Sequence, residues 1–275
     1  MLTAVIQMNS TNQRQANLEQ AAGLLAQARG QGAKMAVLPE HFAYLAAMEE
    51  MPAAAEPLLG PTVQFLASQA KQHGLWIIGG SFARKSPDST RVYNTCPVLD
   101  PQGSLRAHYD KVHLFDLAIP GQATWDESAY VKSGRRVVTV ETPAGMVGLS
   151  ICYDLRFPEL YRRLRLRGAG ILAAPSAFTH ATGKVHWEIL TRARAIENAC
   201  YVLAAAQVGD HGGRRRSWGQ AMIVGPWGEV LASCGDGPGV ALARVEQRGL
   251  ARARRKLDST VHARMLPRAW RGGVK

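Results

Sequence analysis

One cysteine stands where an apolar run gives way abruptly to polar and charged residues. Residues 147–151 form the apolar run, Cys152 follows it, and acidic and basic residues come directly after. Two other reactive side chains occupy similar positions, because Glu40 and Lys111 also follow predicted strands. A thiol, a carboxylate and an amine are together the parts of a covalent hydrolase, in which the thiol attacks a carbonyl carbon.

Cys152 lies at a predicted strand-to-helix turn, with a helix expected to begin at Glu159. A side chain at such a turn faces the same space as the next backbone N–H, so the N–H of Tyr153 is expected to donate to an oxyanion. A nearby base or positive charge would convert the thiol to the reactive thiolate. A buried free cysteine taken alone is usually structural, so this interpretation depends on Glu40 and Lys111.

The three acidic and basic candidates have distinct expected roles. Glu40 follows an apolar segment that ends in proline, which places it at the edge of a sheet, where burial would raise its pKa and suit it as a general base. Lys111 would hold the thiolate and the carboxylate together and stabilise the oxyanion. Glu127 would orient Lys111 or transfer a proton, and Asp126 and Glu141 are alternatives for that role.

The elements that must position these residues alternate along the chain. Strands are expected at residues 4–8, 35–38, 76–80, 92–99, 105–109, 136–141, 145–151, 170–174, 200–206, 220–224 and 230–232, and helices at residues 15–30, 61–73, 159–167 and 187–198. In the first helix, Leu18, Ala21, Leu25 and Ala28 fall on one face at the 3.6-residue period. This alternation predicts an α/β fold, and several Gly/Pro turns predict hairpins and therefore mixed sheets.

Length and charge predict one domain with a basic extension. The chain has 275 residues, of which 47% are hydrophobic, so one domain is expected over residues 1–250 and a basic C-terminal extension over residues 251–275. Residues 244–275 contain ten Lys or Arg and two Asp or Glu, which is most of the net charge of +12. Such a block is typical of an exposed tail. A nucleic-acid-binding protein is the alternative from another class, although no nucleic-acid-binding motif is present.

Cysteine usage and hydropathy indicate the compartment. No apolar run reaches the roughly 18 residues of a membrane span, and the first residues lack the basic region and cleavage site of a signal peptide. The four cysteines have no CxxC spacing, and no histidine pair has the spacing of zinc ligands. Scattered cysteines favour reduced thiols. A cytoplasmic protein without a membrane anchor or a metal is therefore predicted.

Three segments together resemble the nitrilase superfamily of carbon–nitrogen hydrolases. They are Leu-Pro-Glu at 38–40, Tyr-Asp-Lys-Val-His-Leu-Phe-Asp at 109–116, and Ile-Cys-Tyr-Asp-Leu-Arg-Phe-Pro-Glu at 151–159. The resemblance covers roughly residues 1–250 and implies a catalytic triad of Glu40, Lys111 and Cys152 that needs no cofactor. It also implies an α-β-β-α sandwich with helices outside mixed sheets, in a homodimer or a higher homo-oligomer.

Further stretches resemble the Nit branch of that superfamily. They lie at residues 119–122, 175–178, 186–188, 192–198 and 201–207. The branch hydrolyses the terminal amide of a small acid to a carboxylate and ammonia through a thioester. Pro-Ser-Ala-Phe at 175–178 and Ala-Ala-Ala-Gln at 204–207 favour deaminated glutathione as the substrate over α-ketoglutaramate, the substrate of the ω-amidases. Hydrolysis of an N-carbamoyl amide is a further alternative.

A substrate that carries a carboxylate needs a cationic or N–H-rich contact. Arg156 is the candidate because of its position near Cys152, although it has an alternative role as an ion-pair partner of Glu159. Tyr44, Tyr153 and Phe178 are candidate pocket walls, and for each a place in the core is the alternative. No role follows from the sequence for the basic residues 214–216.

Overall fold

The computed structural model of the chain describes residues 1–87, 90–117, 125–212 and 215–265. Within these ranges the strands are β1 (Leu2–Met8), β2 (Met35–Val37), β3 (Trp76–Ile78), β4 (Phe82–Lys85), β5 (Val92–Leu99), β6 (Leu105–Asp110), β7 (Asp116–Leu117), β8 (Trp125–Asp126), β9 (Thr139–Thr142), β10 (Gly145–Leu149), β11 (Ile171–Ala173), β12 (Tyr201–Ala204), β13 (Ala206–Asp210), β14 (Arg216–Trp218), β15 (Met222–Val224), β16 (Val230–Ser233) and β17 (Gly239–Arg244). The α-helices are α1 (Arg14–Gly30), α2 (Pro61–His73), α3 (Glu127–Tyr130), α4 (Pro158–Leu166), α5 (His180–Asn198) and α6 (Gln247–Lys256). Short 3-10 helices span Met48–Glu50, Cys152–Arg156 and Ser259–His262.

Two large mixed sheets form the centre of the molecule. Among the described strands, one sheet has the order β14-β13-β1-β2-β3-β5-β4, with β17 also paired to β1 and β6 to β5. The other has the order β16-β15-β12-β11-β10-β9. The pairs β1–β2, β2–β3, β10–β11 and β11–β12 are parallel, whereas β5–β6 and β9–β10 are antiparallel. The predicted mixture of parallel and antiparallel pairs is thus confirmed.

The two sheets pack face to face, and helices cover their outer faces. Successive side chains of a strand point to opposite faces. Val5 on β1 therefore contributes to the core shared with Val147 and Leu149 of β10, whereas Ala4 and Ile6 pack among side chains of α1 and α2. Because both faces of each sheet are buried, the strands read as nearly continuous apolar runs. The expected α-β-β-α sandwich is confirmed.

The structure differs from the sequence prediction at several elements. Strand β5 and helix α2 have the predicted bounds, but α5 begins at His180 rather than at Trp187. Residues 200–206, predicted as one strand, belong to β12 and β13, which lie in different sheets. Helix α6 was not among the predicted helices, and it buries Leu250 and Ala253.

Some predicted features cannot be placed. Residues 119–122, Arg214 and the last part of the basic extension, residues 266–275, lie outside the described residues. Within the part of the chain that is described, no helix combines the length and the apolar character needed to cross a membrane.

Candidate active site

Three strand ends bring the candidate catalytic residues together. Glu40 lies just beyond β2, Lys111 follows β6 directly, and Cys152 comes shortly after β10. Strands β2 and β6 belong to one sheet and β10 to the other. The side chains of all three residues are at least nine-tenths buried. The site therefore lies between the two layers of the sandwich, with groups supplied by both.

Cys152 sits at a strained backbone position. Its φ of 48° lies in the left-handed region, which residues with a side chain seldom adopt. Its own N–H donates to the carbonyl of Pro175 at 2.9 Å. Tyr153 follows in the first turn of the 3-10 helix Cys152–Arg156, where backbone N–H groups have no acceptor within the helix. This turn can present the thiol and a backbone donor to the same reacting carbonyl group.

Three donors surround the carboxylate of Glu40. Its Oε1 accepts hydrogen bonds from Lys111 Nζ at 3.0 Å and from Asn94 Nδ2 at 2.9 Å. Its Oε2 accepts the N–H of Ala177 at 3.0 Å, and Cys152 lines the same cavity, close enough for the charge of Glu40 to raise the pKa of its thiol. Glu40 therefore has a fixed orientation in the cavity that also contains the candidate nucleophile.

Lys111 bridges two buried carboxylates. Its Nζ lies 3.0 Å from Oε1 of Glu40 and 3.0 and 2.9 Å from the two oxygens of Glu127. Glu127 is itself held by the backbone N–H of Phe115, which donates to Oε2 at 2.7 Å. Glu127 is thus in direct contact with Lys111, whereas Asp126 caps the following turn by accepting the N–H of Ala129.

The protonation states follow from burial and from neighbouring charges. Burial alone would raise the pKa of Glu40, but Lys111 and the hydrogen bonds it receives outweigh that effect and hold the pKa at about 2. Burial would likewise lower the pKa of Lys111, but Glu127 and Glu40 raise it. Burial, together with the charge of Glu40, raises the pKa of the Cys152 thiol well above its usual range, against the opposing effect of Lys111. The prediction of a raised Glu40 pKa is wrong, because the positive charge of Lys111 outweighs the effect of burial.

A buried carboxylate ties the segment of Lys111 to the segment of Cys152. Oδ2 of Asp154 accepts hydrogen bonds from the Tyr109 hydroxyl at 2.7 Å and from the Ile151 N–H at 2.9 Å. Oδ1 accepts the His113 N–H at 3.0 Å. Asp154 therefore fixes the residues on either side of Lys111 relative to the residues around the nucleophile.

The site opens into a cavity of about 490 Å³, counting the space at its mouth. Four aromatic side chains form much of its wall, namely Phe115, Trp125, Tyr153 and Phe178. The ring centroids of Phe115 and Tyr153 are 5.0 Å apart, and those of Phe115 and Trp125 are 5.7 Å apart. Such walls exclude water and strengthen the electrostatic interactions inside the cavity.

The charged groups that line the cavity leave it with an excess of positive charge. Lys111, Arg156 and Arg215 are cationic, and Glu40 and Glu127 are anionic. His41 also lines the cavity, but burial lowers its pKa to about 3, so the ring is neutral. Lys111 is paired with both carboxylates, and none of the described carboxylates lies within 4.0 Å of either guanidinium. The cavity is therefore suited to an anionic ligand.

Most of the predicted substrate-binding residues line this cavity, but one does not. Tyr153, Phe178 and Arg156 are in its wall. The guanidinium carbon of Arg156 lies 5.2 Å from the ring centroid of Phe178, and its Nη1 is 3.2 Å from Nδ1 of His186. Tyr44 lines a separate, smaller cavity, and its hydroxyl donates to Oε2 of Glu50 at 3.0 Å. The prediction of Tyr44 as a pocket wall needs this correction.

Several cavity residues had no role in the sequence-based prediction. Arg215 belongs to the basic residues that had no assigned role, and Trp125 and His41 were not singled out. Trp125 directly precedes Asp126 and Glu127, and His41 directly follows Glu40, so both stand next to residues that the sequence did single out. The signal for Arg215 was weak, because a basic run in a polar stretch is more often exposed. Within the described ranges, no group of three or more His, Cys, Asp or Glu side chains is arranged to hold a metal ion.

The fold and the site define a class, that of α-β-β-α hydrolases with a buried cysteine, glutamate and lysine. The chain belongs to the carbon–nitrogen hydrolase family, whose model matches residues 2–255. It is 44% identical to the deaminated glutathione amidase of Mus musculus over 96% of this chain and 83% of that protein. It is 38% identical to the omega-amidase NIT2 of Homo sapiens over 92% of this chain and 91% of that protein. The NitFhit protein of C. elegans has a similar structure, with a TM-score of 0.89 and 39% identity over 96% of this chain and 65% of that longer chain.

Proposed function

We propose that this protein is a cysteine-dependent amidase for small anionic amides and that deaminated glutathione is its substrate. One observation carries the proposal: Cys152, Glu40 and Lys111 line one cavity, and that cavity also holds two guanidiniums without carboxylate partners among the described residues. The thiol–carboxylate pair supplies a nucleophile with its base, and the two cations select an anionic substrate.

The first half of the reaction forms a thioester. Glu40 takes the proton of Cys152 as the sulfur attacks the amide carbonyl carbon. Because the thiol pKa is raised and the Glu40 pKa is low, this transfer is unfavourable in the resting site and accompanies the attack. Lys111 and the Tyr153 N–H stabilise the oxyanion. The carbon–nitrogen bond then breaks, and Glu40, assisted by Glu127, delivers a proton to the departing nitrogen.

The second half hydrolyses the thioester. Glu40 removes a proton from a water molecule, which attacks the thioester carbonyl, and the same oxyanion donors act again. The carbon–sulfur bond breaks, the thiol regains a proton, and the carboxylic acid leaves. Every proton in this scheme is held by groups that the structure already brings together.

The chemistry of the two candidate substrates favours deaminated glutathione. Both carry the same acyl part, the 2-oxoglutaryl group, and they differ in the group that leaves. α-Ketoglutaramate releases ammonia and has one carboxylate. Deaminated glutathione releases cysteinylglycine, instead of the ammonia expected from the resemblance, and has a second carboxylate on its glycine. Two guanidiniums in the cavity match two carboxylates, and the 44% identity to the mouse deaminated glutathione amidase supports the same choice. An ω-amidase that acts on α-ketoglutaramate is the second candidate, supported by the 38% identity to the human omega-amidase.

The experiment is to incubate the purified protein with each compound and to measure 2-oxoglutarate, which both reactions release. We expect a higher kcat/KM for deaminated glutathione. The Cys152→Ala variant should lose turnover by several orders of magnitude yet keep its circular dichroism spectrum, because only the nucleophile is removed.

The matched control is Cys234→Ala, which removes a buried thiol outside the cavity and should leave turnover intact. A preference for α-ketoglutaramate would move the assignment to an ω-amidase. Turnover that survives in Cys152→Ala would overturn the assignment of the nucleophile.

We also propose a cytoplasmic location for this protein. All four cysteines are unpaired and buried, which is the usual state in a reducing compartment. A fractionation of source cells in which the protein is absent from the cytoplasmic fraction would contradict this.

A further inference from the structure

The guanidinium of Arg215 is held firmly in the cavity wall but uses little of its bonding capacity. Its Nη1 donates to the carbonyl of Ala46 at 2.7 Å, and its Cζ lies 5.5 Å from the ring centroid of Trp125. Its backbone is fixed because the His211 N–H donates to the Arg215 carbonyl at 3.0 Å. No other acceptor in the described part of the chain bonds to this guanidinium, so most of its five N–H groups have no partner among those residues.

This arrangement differs from that of other arginines in this structure. Arg84 lies 2.8 Å from Asp110, and Arg165 lies 2.8 Å from Asp258. Withdrawing a charge from water without an opposite charge is costly, and burial accordingly lowers the pKa of Arg215. A cation that is fixed by its neighbours, directed at a cavity and unpaired is expected where the missing anion comes with the ligand.

The acyl part of the substrate places its carboxylate close to the nucleophile. Both candidate substrates have four carbon–carbon bonds between the reacting carbonyl and the acyl carboxylate, which span about 5 Å when extended. The cation that binds this carboxylate must therefore lie near Cys152. Arg215 meets this condition, because it lines the same cavity as Cys152 and Glu127.

Arg156 occupies a different part of the cavity. Its contact with His186 is exposed to solvent, whereas the bond from Arg215 to Ala46 is partly buried. A leaving group as long as cysteinylglycine must extend from the reacting carbonyl toward solvent. Arg156 is therefore placed to meet an anion on the leaving group.

On the basis of the proposed function, we infer that the two cations divide the work of substrate recognition. Arg215 binds the carboxylate of the acyl part, which both candidate substrates share. Arg156 binds the carboxylate of the leaving group, which only deaminated glutathione has. Recognition of a 2-oxo dicarboxylic acyl group thus rests on Arg215, Trp125 and the carbonyl of Ala46.

The test compares three amides with the wild type and three variants. The amides are α-ketoglutaramate, deaminated glutathione and 4-oxopentanamide, in which a methyl group replaces the acyl carboxylate. Arg215→Gln should lower the ratio of kcat/KM for α-ketoglutaramate to that for 4-oxopentanamide by about 100-fold, since a charge-assisted contact is lost. Arg156→Gln should lower the ratio for deaminated glutathione to that for α-ketoglutaramate by about 10-fold, because its site is more exposed.

Arg216→Gln is the matched control, because Arg216 is exposed on β14 beside Arg215 and does not line the cavity. It should change neither ratio. If Arg215→Gln slows α-ketoglutaramate and 4-oxopentanamide equally, Arg215 is a structural residue and the inference is wrong. If it slows neither, the carboxylate binds elsewhere and the inference is also wrong.

A binding measurement separates this inference from the proposed function. The Cys152→Ala variant should bind 2-oxoglutarate in isothermal titration calorimetry, and adding Arg215→Gln should weaken that binding by about 100-fold. This holds even if the wild type hydrolyses none of the amides, an outcome that would overturn the proposed function alone. Equal binding by the single and double variants, both folded by circular dichroism, would refute the role of Arg215. Failure of the Cys152→Ala variant to bind would refute it as well.

Discussion

At the scale of single residues, the candidate nucleophile Cys152 is a neutral thiol in the resting site. Cys152 is surrounded by apolar groups and by the carboxylate of Glu40, and both favour the protonated sulfur. The cation of Lys111 opposes this effect but does not outweigh it, and it is shared between Glu40 and Glu127. The reactive thiolate is therefore expected to form only when a carbonyl group is in place to accept its electrons.

This protonation state has a measurable pH dependence. Alkylation of Cys152 by a small neutral reagent should speed up about tenfold per pH unit from pH 6 to 9, because the thiolate fraction grows at that rate below the thiol pKa. Glu40, with a pKa of about 2, stays ionised over this range and adds no step to the profile. Mass spectrometry of the labelled peptide gives the rate. A plateau near neutral pH would show instead a preformed thiolate.

Glu127 offers a second test at this scale. Glu127→Gln keeps an oxygen for the Phe115 N–H but removes one of the two charges around Lys111. We expect kcat to fall about 100-fold or more, with KM and the thermal midpoint little changed, because proton delivery and the position of Lys111 are both affected. Asp126→Asn, an exposed neighbour, is the control. A loss of kcat that tracked a loss of folded protein would assign Glu127 a purely structural role.

The site residues that could be predicted from the sequence are those that are recognisable from their neighbours along the chain. Glu40, Lys111 and Cys152 each follow a strand, so their neighbours in sequence were enough to single them out. Arg215 was missed because its setting is made by Ala46 and Trp125, which are remote in sequence. Tyr44 was misplaced for a similar reason, since the cavity that it lines is completed by Arg14 and Phe82, which are remote in sequence.

At the scale of elements, the site depends on how strands end. Just after β3, Gly80 packs against the carbonyl of Pro39, the residue before Glu40. Its φ of +57° lies in the left-handed region, and a Cβ there would be 2.1 Å from that oxygen. No side chain can occupy this position without moving the segment that carries Glu40.

Gly80→Ala should therefore lower the free energy of unfolding by about 2 kcal/mol or more and lower kcat as well, since backbone strain and a clash with the chain are combined. Gly23→Ala is the control, because Gly23 is exposed within α1 with open space around it. That variant should be more stable by about 1 kcal/mol with unchanged kcat. Urea unfolding and steady-state kinetics measure both effects. Wild-type kcat in Gly80→Ala would show that the Glu40 segment tolerates displacement.

Element bounds were predictable where local preference and tertiary packing agree. Pro61 at the start of α2 and Gly74 after its end, with a φ of 59°, are strong local signals, and that helix was predicted correctly. The first part of α5 was missed because Gly183 disfavours a helix. Its reason is tertiary: a Cβ there would be 2.2 Å from Cβ of Trp218. The break between β12 and β13 was missed because nothing local marks a change of sheet at Ala205.

At the scale of the whole molecule, one face carries a group of exposed apolar side chains. Val185, Ile189 and Ile196 on α5 are exposed, and Trp227 beside them is 52% exposed. The basic helix α6 is hydrogen-bonded to the chain at the end of α5, because Arg254 donates to the carbonyl of Ala199 and also to that of Ala169. Contiguous exposed apolar groups often mark protein interfaces. We therefore expect the homo-oligomer implied by the family resemblance to form through this face.

This proposal can be tested by light scattering after size exclusion. The wild type should have a mass of at least two chains, and Ile189→Asp should shift it toward one chain, because a buried charge destabilises an apolar interface. Leu59→Asp is the control, since Leu59 is 65% exposed and lies on another part of the chain. A monomeric wild type, or an unchanged mass for Ile189→Asp, would contradict this arrangement.

The placement of the site between two sheets has a consequence for how the protein responds to change. Glu40 and Lys111 come from one sheet and Cys152 from the other, so the gap between base and nucleophile is set by the thickness of the core between the layers. Val5, Val37 and Leu149 help to fill that space. The hydrophobic core thus acts as a spacer for the reaction. A substitution that adds or removes a methylene group there would change the distance between Glu40 and Cys152, as would compression of the interior by pressure. Either change would lower the reaction rate before the protein unfolds.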